Sequence, residues 1–280
     1  GLVIGQGRTR HVPSSDEVSV ALHDLGGDGP PLIFVHATGF HGYCYRRIAE
    51  YLHDIRRCLA LDLRGHGDST MPTNGRFEWA GMVDDLCAVL DTLEIAEPID
   101  FVGHSLGGAV ILNTELRRPG TIRRAWLFEP IVFPGFDQQS PSPLAQGARK
   151  RRATFESFDA AIARYGSRPP FNAIDPLVLD DYVRFGFRPH DDGVTLKCAP
   201  ESEAATFENA DGTLFDRVAA INADIRLVGS TDGDAPATFA PRAAEQIPGA
   251  VYECWDGETH FGPFTRPGRA AEGIRTVIEG

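Results

Sequence analysis

The fold is decided by the stretch Ile99-Asp100-Phe101-Val102-Gly103-His104-Ser105-Leu106-Gly107-Gly108. Its first four residues form a mostly apolar run typical of a buried strand, and the apolar positions among residues 109–116 recur with helical spacing. Ser105 therefore occupies a sharp strand-to-helix turn, where its backbone is forced toward unfavourable angles and its hydroxyl is exposed above the sheet. Gly103 and Gly107 are required because a larger side chain at either position would collide across the turn. The helix that begins here directs its N-terminal N–H groups toward the space beside the Ser105 hydroxyl, where a reaction at this serine would take place.

On either side of this stretch, short apolar runs alternate with longer segments of helical period. This alternation predicts an α/β fold with a mostly parallel central sheet flanked by crossover helices. A helix is predicted around residues 79–93, where apolar residues recur at three- and four-residue spacing. The predicted strands are residues 32–35, 58–61, 99–102, 125–128, 225–228 and 251–255.

Residues 131–215 break the alternation, with eight prolines among short helical stretches. We predict an inserted helical cap there, with residues 1–130 and 216–280 forming the core. The run Arg149-Lys150-Arg151-Arg152 lies in this cap and is expected to be a solvated helix face. About a third of the cap's aromatic residues are expected to face the cleft, which favours an apolar or aromatic substrate. The aromatic residues of the cap are Phe133, Phe136, Phe155, Phe158, Tyr165, Phe171, Tyr182, Phe185, Phe187, Phe207 and Phe215.

Composition and charge exclude several classes of function. The 280 residues carry a net charge of −12 and 42% hydrophobic residues, an ordinary globular composition whose field repels nucleic acid and anionic membrane surfaces. The longest stretch without Asp, Glu, Lys or Arg, residues 29–45, contains prolines and glycines and is not expected to span a membrane. Residues 1–10 show no signal-peptide pattern. We therefore expect no nucleic-acid partner and no membrane span.

The cysteines are widely spaced, which argues against both a disulfide framework and a zinc site. They are Cys44, Cys58, Cys87, Cys198 and Cys254. A reducing, cytoplasmic location fits this usage best. We expect neither a metal nor an organic cofactor.

A serine hydroxyl is a weak nucleophile and needs a base, which in turn needs an orienting carboxylate. His260 follows the last predicted strand and is expected at the same sheet edge as Ser105. His36, His66 and His104 also lie beside strand ends. Each of these three belongs to a turn motif, where hydrogen bonding to the backbone is the simpler role. His260 is therefore the predicted base.

The order of Ser105, an acid and then His260 resembles the α/β-hydrolase family of esterases, lipases, lactonases and their relatives. The likeness extends over nearly the whole chain except the cap. A serine nucleophile distinguishes the chain from haloalkane dehalogenases and epoxide hydrolases of this fold, which use an aspartate. The supporting motifs, besides the serine turn, are His36-Ala37-Thr38-Gly39-Phe40, Asp62-Leu63-Arg64-Gly65-His66-Gly67-Asp68-Ser69, Gly229-Ser230-Thr231-Asp232 and Ile247-Pro248-Gly249-Ala250.

The resemblance implies an oxyanion hole formed by the backbone N–H groups of Leu106 and Thr38. The first of these follows the nucleophile, and the second lies in a loop similar to the family's His-Gly loop, with Ala37 in place of the usual glycine. These two assignments rest on the resemblance alone.

Two placements of the acid remain open. Asp232 follows the strand predicted at residues 225–228, and Glu129 follows the strand at 125–128. Either one leaves room for a helix and a strand between itself and its neighbour in the triad, and both loops should open at the edge that bears His260. We favour Asp232, because it lies in the Gly-x-x-Asp turn that the larger part of the family uses.

These residues predict a serine hydrolase that cleaves a carboxylic ester or lactone through an acyl-enzyme. Its partner would be a small-molecule substrate. A ligand receptor of the same fold is the alternative from a different class, since fold alone does not separate the two. C–C bond hydrolysis and perhydrolysis are further alternatives that the sequence does not distinguish from ester hydrolysis.

Overall fold

The computed structural model describes residues 8–135 and 142–280. Its main sheet has eight strands in the order β1-β2-β4-β3-β5-β6-β10-β11. All six predicted strands are present in it. The strands of this sheet are β1 Thr9–Pro13, β2 Ser19–Gly26, β3 Pro31–Val35, β4 Arg57–Leu61, β5 Ile99–His104, β6 Ile122–Phe128, β10 Asp224–Ser230 and β11 Ala250–Trp255.

The six predicted strands pair in parallel, whereas β1 and β2 form an antiparallel edge that the sequence analysis did not predict. The two polar residues His23 and Asp24 interrupt the apolar pattern of β2, although both are buried. His23 is hydrogen-bonded to Asp62, and Asp24 pairs with Arg57. Because buried polar groups with partners look the same in a sequence as solvated ones, this strand gave no period-two signal.

Helices cover both faces of the sheet. The alternation of side chains along β3 shows the division: Ile33 and Val35 join the apolar cluster beneath α2 and α3, and Leu32 and Phe34 join the cluster on the opposite face. The predicted helix at 79–93 is observed as α2. The helices are α1 Arg46–Glu50, α2 Trp79–Thr92, α3 Leu106–Arg117, α4 Pro143–Arg149, α5 Phe158–Gly166, α6 Pro176–Gly186, α7 Pro200–Glu208, α8 Leu214–Arg217, α9 Ala235–Gln246, α10 Gly262–Thr265 and α11 Pro267–Glu279.

The segment between β6 and β10 carries its own small sheet besides helices α4 to α8. Three short strands, β7 Thr154–Phe155, β8 Phe187–His190 and β9 Gly193–Leu196, pair antiparallel in the order β7-β9-β8. The cap predicted at residues 131–215 is thus not purely helical, and its predicted end falls inside α8. Strands of two to four residues are too short to leave a readable period in the sequence.

The described part of the predicted cap packs on the core through apolar side chains. Phe155, Tyr182 and Phe187 belong to the same buried cluster as Phe34 and Trp126 of the main sheet. Across residues 8–135 and 142–280, no helix combines the length and the apolarity needed to cross a bilayer.

Candidate active site

Ser105 stands between the end of β5 and the start of α3, with φ 55° and ψ −114°. A positive φ is unfavourable for a residue with a Cβ atom and persists only where the surroundings enforce it. The surroundings here are the buried strand on one side and the helix on the other. The strained strand-turn-helix geometry predicted from the sequence is therefore present.

The two glycines that flank Ser105 have no room for a side chain. A Cβ atom on Gly107 would lie 1.9 Å from the carbonyl oxygen of Val35, and one on Gly103 would lie 2.8 Å from the Cα atom of Gly108. Both distances are shorter than any ordinary van der Waals contact, and both involve backbone atoms that cannot rotate away. The predicted requirement for glycine at these positions holds, and it brings α3 into direct contact with the end of β3.

His260 lies in the loop between β11 and α10 and is held by a buried carboxylate. Its Nδ1 is 2.8 Å from Oε1 of Glu129, the residue that directly follows β6. Glu129 is fully buried, has a φ of 44°, and its Oε2 accepts a hydrogen bond of 2.7 Å from the backbone N–H of Ser230. The Nδ1 atom of His260 is thus engaged, which leaves Nε2 as the ring nitrogen that can exchange a proton with a group in the cavity.

Asp232, the acid that the sequence analysis favoured, does not pair with His260. Its side chain is exposed, and its carboxylate receives a long hydrogen bond of 3.4 Å from Thr231 Oγ1. Its backbone N–H donates to the carbonyl of Glu258 at 2.9 Å, which fixes the turn with the side chain outside. The correction has a geometric reason: β6 and β10 are neighbours in register, so Glu129 emerges beside Ser230 at the sheet edge itself.

The loop that follows β3 brings Thr38 to the wall of a cavity that also exposes Ser105 and His260. Two other N–H groups of this loop are occupied: Ala37 donates to the hydroxyl of Tyr45 at 3.2 Å, and Phe40 donates to the carbonyl of Ala37 at 3.0 Å. Leu106 is the first residue of α3, where backbone N–H groups have no partner inside the helix. The contact of Gly107 with the backbone of Val35 and His36 places the start of α3 beside this loop.

The three histidines predicted to be structural bind backbone or buried groups. His36 accepts a hydrogen bond from the Leu63 N–H at 2.9 Å, and His66 Nδ1 lies 2.9 Å from the carbonyl of Arg64. His104 bridges the Tyr45 hydroxyl and the carbonyl of His260, at 3.0 and 2.8 Å.

Burial disfavours the charged form of these imidazoles. It lowers the pKa of His36 to about 3 and, together with the nearby charge of His260, lowers the pKa of His104 to about 3. Burial also lowers the pKa of His66. All three rings are neutral near pH 7 and act as fixed hydrogen-bonding groups.

Two clusters among the described residues each bring together three side chains of types that can bind a metal ion. In one, His23, Asp62 and Asp68 approach one another, with His23 bonded to Asp62 at 2.7 Å and Asp68 paired with Lys197. The other joins Glu129, His260 and Asp234. In both clusters the nitrogen and oxygen atoms that could bind a metal already form hydrogen bonds or ion pairs with one another or with Lys197, apart from those of the Asp234 carboxylate.

The cavity has a volume of about 720 Å³ and is mostly apolar. Three aromatic residues of the predicted cap, Phe133, Phe171 and Phe207, line it together with Phe40 and Phe261 of the predicted core. Phe136 lies outside the described residues. The expectation that about a third of the cap aromatics face the cleft fits the described part of the cap.

Four charged side chains of the described residues join Ser105 and His260 in the lining. Arg151 donates to Glu203 at 2.6 Å and to the hydroxyls of Tyr165 and Tyr182 at 2.8 and 2.6 Å. Glu208 pairs with Arg149, which lies outside the lining. The fourth is Asp234.

The basic run is divided by this arrangement. Arg149 and Arg152 pair with acidic residues at the surface, as a solvated face would, whereas Arg151 turns inward. Sequence reasoning missed Arg151, Glu203 and Asp234. The signal that could have found Asp234 is its position two residues beyond the Gly-x-x-Asp turn, at the start of a helix that leads away from the sheet edge.

Comparisons with known proteins identify the family and the fold of the chain. A sequence profile of the alpha/beta hydrolase family matches residues 32–272. A cis-3-alkyl-4-alkyloxetan-2-one decarboxylase from Shewanella oneidensis is 31% identical over 127 residues, which are 44% of this chain and 40% of that protein. A pimeloyl-[acyl-carrier protein] methyl ester esterase from Chromobacterium violaceum is 35% identical over 137 residues, which are 49% of this chain and 50% of that protein. The matches thus span half or less of the length of these curated relatives.

Solved structures resemble the chain over nearly its full length. An E-2-(acetamidomethylene)succinate hydrolase superposes with a TM-score of 0.85 at 20% identity, covering 98% of this chain and 99% of the other. At that identity the likeness shows the fold alone. The profile match covers most of the sequence and includes the serine turn, the loop after β3 and the histidine loop, and on this ground the chain belongs to the alpha/beta hydrolase family.

Proposed function

We propose that the protein is a serine hydrolase that cleaves a carboxylic ester or lactone through an acyl-enzyme, with Ser105 as nucleophile, His260 as base and Glu129 as acid. The observation that carries the proposal is the hydrogen bond between His260 Nδ1 and the buried Glu129, in a cavity that also exposes a strained Ser105. A carboxylate in this position holds the imidazole in one tautomer and stabilises the imidazolium that forms during proton transfer.

In the acylation step, Ser105 Oγ attacks the substrate carbonyl carbon and its proton moves to His260 Nε2. The carbonyl oxygen becomes an oxyanion, for which the backbone N–H groups of Thr38 and Leu106 are the proposed donors. When the tetrahedral intermediate collapses, the C–O bond to the leaving group breaks and His260 returns the proton to the departing alkoxide. With a lactone, the alcohol remains attached to the acyl chain.

In the deacylation step, a water molecule takes the place of the leaving group. His260 removes one proton from the water, the hydroxide oxygen attacks the acyl carbon, and the Ser105 ester bond breaks with return of the proton to Oγ. The products are a carboxylic acid and the regenerated enzyme.

The lining of the cavity favours an uncharged acyl group. Aromatic rings from the core and from the cap segment surround the space beside Ser105, and the guanidinium of Arg151 is already paired with Glu203. A free carboxylate on the substrate would find no unpaired cation among the described lining residues. We therefore propose an apolar or aromatic ester of small or medium size as the substrate.

We also retain the prediction of a reducing compartment. All five cysteines are free thiols, four of them buried and Cys254 exposed. This agrees with a cytoplasmic location, which remains a prediction.

A fluorophosphonate probe tests the proposal, because it reacts with serine hydroxyls that a base has activated. We expect covalent labelling of the wild-type protein at Ser105 and its loss in Ser105→Ala. Ser230→Ala is the matched control, since this serine lies at the same sheet edge and contributes its backbone N–H, not its hydroxyl, to Glu129. A panel of p-nitrophenyl esters and lactones of increasing acyl length would then define the substrate. Folded wild-type protein that resists labelling would favour the ligand receptor instead.

A further inference from the structure

Asp234 is a second carboxylate beside the His260–Glu129 pair. One of its carboxylate oxygens, one oxygen of Glu129 and a ring nitrogen of His260 all lie within 4.8 Å of one another. Asp234 comes from a different part of the chain than Glu129: it directly precedes α9, whereas Glu129 directly follows β6. It also lines the cavity that exposes Ser105.

The Asp234 side chain is not used by its own helix. An Asp at the N-cap normally accepts a hydrogen bond from the N–H of the second or third helical residue. Here the side chain makes no such bond, and the second helical residue, Pro236, has no N–H to donate. The carboxylate is therefore available to the groups that face it.

The other charged residues of the lining do not neutralise Asp234. Arg151 is paired with Glu203, and Glu208 is paired with Arg149. Among the described lining residues, Asp234 is thus the charged group without an ion-pair partner. The group near it that acquires a positive charge during the proposed reaction is the imidazole of His260.

We propose that Asp234 is a positioning residue that stabilises the imidazolium of His260 jointly with Glu129. The inference rests on the proposed function, because the imidazolium forms when Ser105 gives up its proton. An anion within this distance favours the charged form of the ring, and the effect is moderated by solvent since Asp234 is exposed.

The groups that face His260 come from three other elements. Glu129 approaches from the end of β6, Asp234 from the start of α9, and His104 from the end of β5, with ring centroids 5.3 Å apart. His104 stays neutral near pH 7 because burial lowers its pKa to about 3. The two carboxylates are therefore the charged groups among these neighbours of the ring.

The first test measures the imidazole directly and needs no substrate. The ring nitrogen and carbon shifts of His260 are followed by NMR from pH 5 to 9 in the wild type, in Asp234→Asn and in Asp232→Asn, and the signals are assigned with His260→Gln. Removal of the Asp234 charge destabilises the imidazolium, so we expect the pKa of His260 to fall by about half a unit to one unit in Asp234→Asn. Asp232→Asn removes the same charge two residues away, at a side chain outside the cavity lining, and should leave the pKa unchanged. Equal pKa values in the wild type and Asp234→Asn would overturn the proposal.

The second test uses turnover of a neutral p-nitrophenyl ester. In Asp234→Asn we expect kcat to fall about three- to tenfold and the acid limb of kcat/KM to move to lower pH by the same half to one unit. In a Glu129→Gln background, Asp234→Asn should have a larger effect on kcat than it has beside Glu129. A rise in KM confined to cationic substrates, with the acid limb unmoved, would instead assign Asp234 to substrate binding and overturn the proposal. A shifted His260 pKa in a protein that hydrolyses no ester would support the stabilisation of the imidazolium by Asp234 and would refute the proposed function, so the two failures are distinguishable.

Discussion

The cavity has two walls that hold their polar groups in different ways. On the core wall, formed by the loops after the strands of the main sheet, His104 and Glu129 each bind one backbone group and one side chain. His104 binds the carbonyl of His260 and the Tyr45 hydroxyl, and Glu129 binds the N–H of Ser230 and Nδ1 of His260. On the cap wall, formed by residues between β6 and β10, Arg151 binds only side chains in the described contacts, those of Glu203, Tyr165 and Tyr182.

Under the proposed function, this difference predicts that the core wall performs the chemistry and that the cap wall selects the substrate. Backbone atoms at a sheet edge are fixed by the strand pairing, so groups bonded to them keep their positions when a ligand enters. Side chains that bind one another move with the helices that carry them. We therefore expect substitutions on the core wall to act mainly on kcat or on stability, and substitutions on the cap wall to act mainly on substrate preference.

The largest effect is expected from the acid of the core wall. Glu129→Gln keeps the shape of the side chain but removes the charge that would stabilise the His260 imidazolium, so kcat should fall by about 10⁴-fold. Asp232→Asn, the same change at an exposed carboxylate, should alter kcat less than threefold, an about 0.6 kcal/mol effect. Initial rates on one p-nitrophenyl ester decide between them. A severe loss in Asp232→Asn with a mild loss in Glu129→Gln would restore the assignment favoured by the sequence.

Alanine substitutions at one glycine of each wall compare how tightly the two walls are packed. Gly107→Ala would place a Cβ atom 1.9 Å from the Val35 carbonyl oxygen, and we expect the free energy of unfolding to fall by about 3 kcal/mol. Gly147 lies inside the cap helix α4, and a Cβ atom added there would meet no atom of another element within 4 Å. Gly147→Ala should therefore raise the free energy of unfolding by about 0.5–1 kcal/mol. Urea unfolding monitored by circular dichroism gives both values. Equal midpoints for the two variants would contradict the tight packing of the core wall.

Acid should weaken the core wall through its neutral histidines. Burial lowers the pKa of His36 and His104 to about 3 and that of His41 to about 4, whereas an unfolded imidazole titrates near pH 6.5. Below pH 6.5 the unfolded chain binds protons that the folded chain does not, so the free energy of unfolding falls as the pH falls toward 4. The slope is about 1 kcal/mol per pH unit for each imidazole.

Urea unfolding at pH 7, 6 and 5 measures this slope. His41→Gln removes one of the titrating rings while keeping a group that can donate to the carbonyl of Tyr182, and it should reduce the slope by one imidazole's share. An unchanged slope in this variant would show that His41 titrates normally in the folded protein.

The smallest effect is expected on the cap wall. Phe171 contacts the rings of Phe40 and Phe261, with centroids 6.1 and 5.8 Å away. Phe171→Ala should lower kcat/KM for a benzoate or hexanoate ester about tenfold, because about 1–2 kcal/mol of apolar contact is lost, and should leave an acetate ester nearly unaffected. Phe185→Ala is the control, since this cap ring stacks on Tyr43 and does not line the cavity. Equal losses for all acyl lengths would argue against a selecting role.

The sequence analysis predicted the parts that depend on local pattern. The parallel strands and α2 are predicted from apolar runs and helical spacing. The Ser105 turn is predicted from Gly103 and Gly107, which stand between a strand pattern and a helix pattern. The acid was not decidable in this way, because Glu129 and Asp232 both follow strands that end at the same edge, and the direction of each side chain depends on its turn. The structure separates them: the Ser230 N–H and His260 Nδ1 hold the buried Glu129 carboxylate, whereas the Asp232 backbone bonds Glu258 and leaves its side chain exposed.

The inward position of Arg151 on the cap wall could not be predicted for a different reason. Arg151 belongs to a run of four basic residues, and nothing in the run distinguishes the one that turns inward. What turns it is a set of partners on α5, α6 and α7. Contacts between elements far apart in the chain leave no periodic signal, so such a residue is found only in the folded structure.

The close approach of Gly107 to Val35 has a consequence for the energetics of the reaction. Because the start of α3 rests against the end of β3, the loop that carries Thr38 and the helix turn that carries Leu106 keep a constant separation. Under the proposed function, the oxyanion donors would then be preorganised, because the packing that separates them is complete before any charge develops. Water would have to reorient around a forming oxyanion, and that reorganisation energy is part of the barrier in solution. If Thr38 and Leu106 donate as proposed, a contact between two backbones, made possible by the absence of one Cβ atom, would remove that part of the barrier when the chain folds.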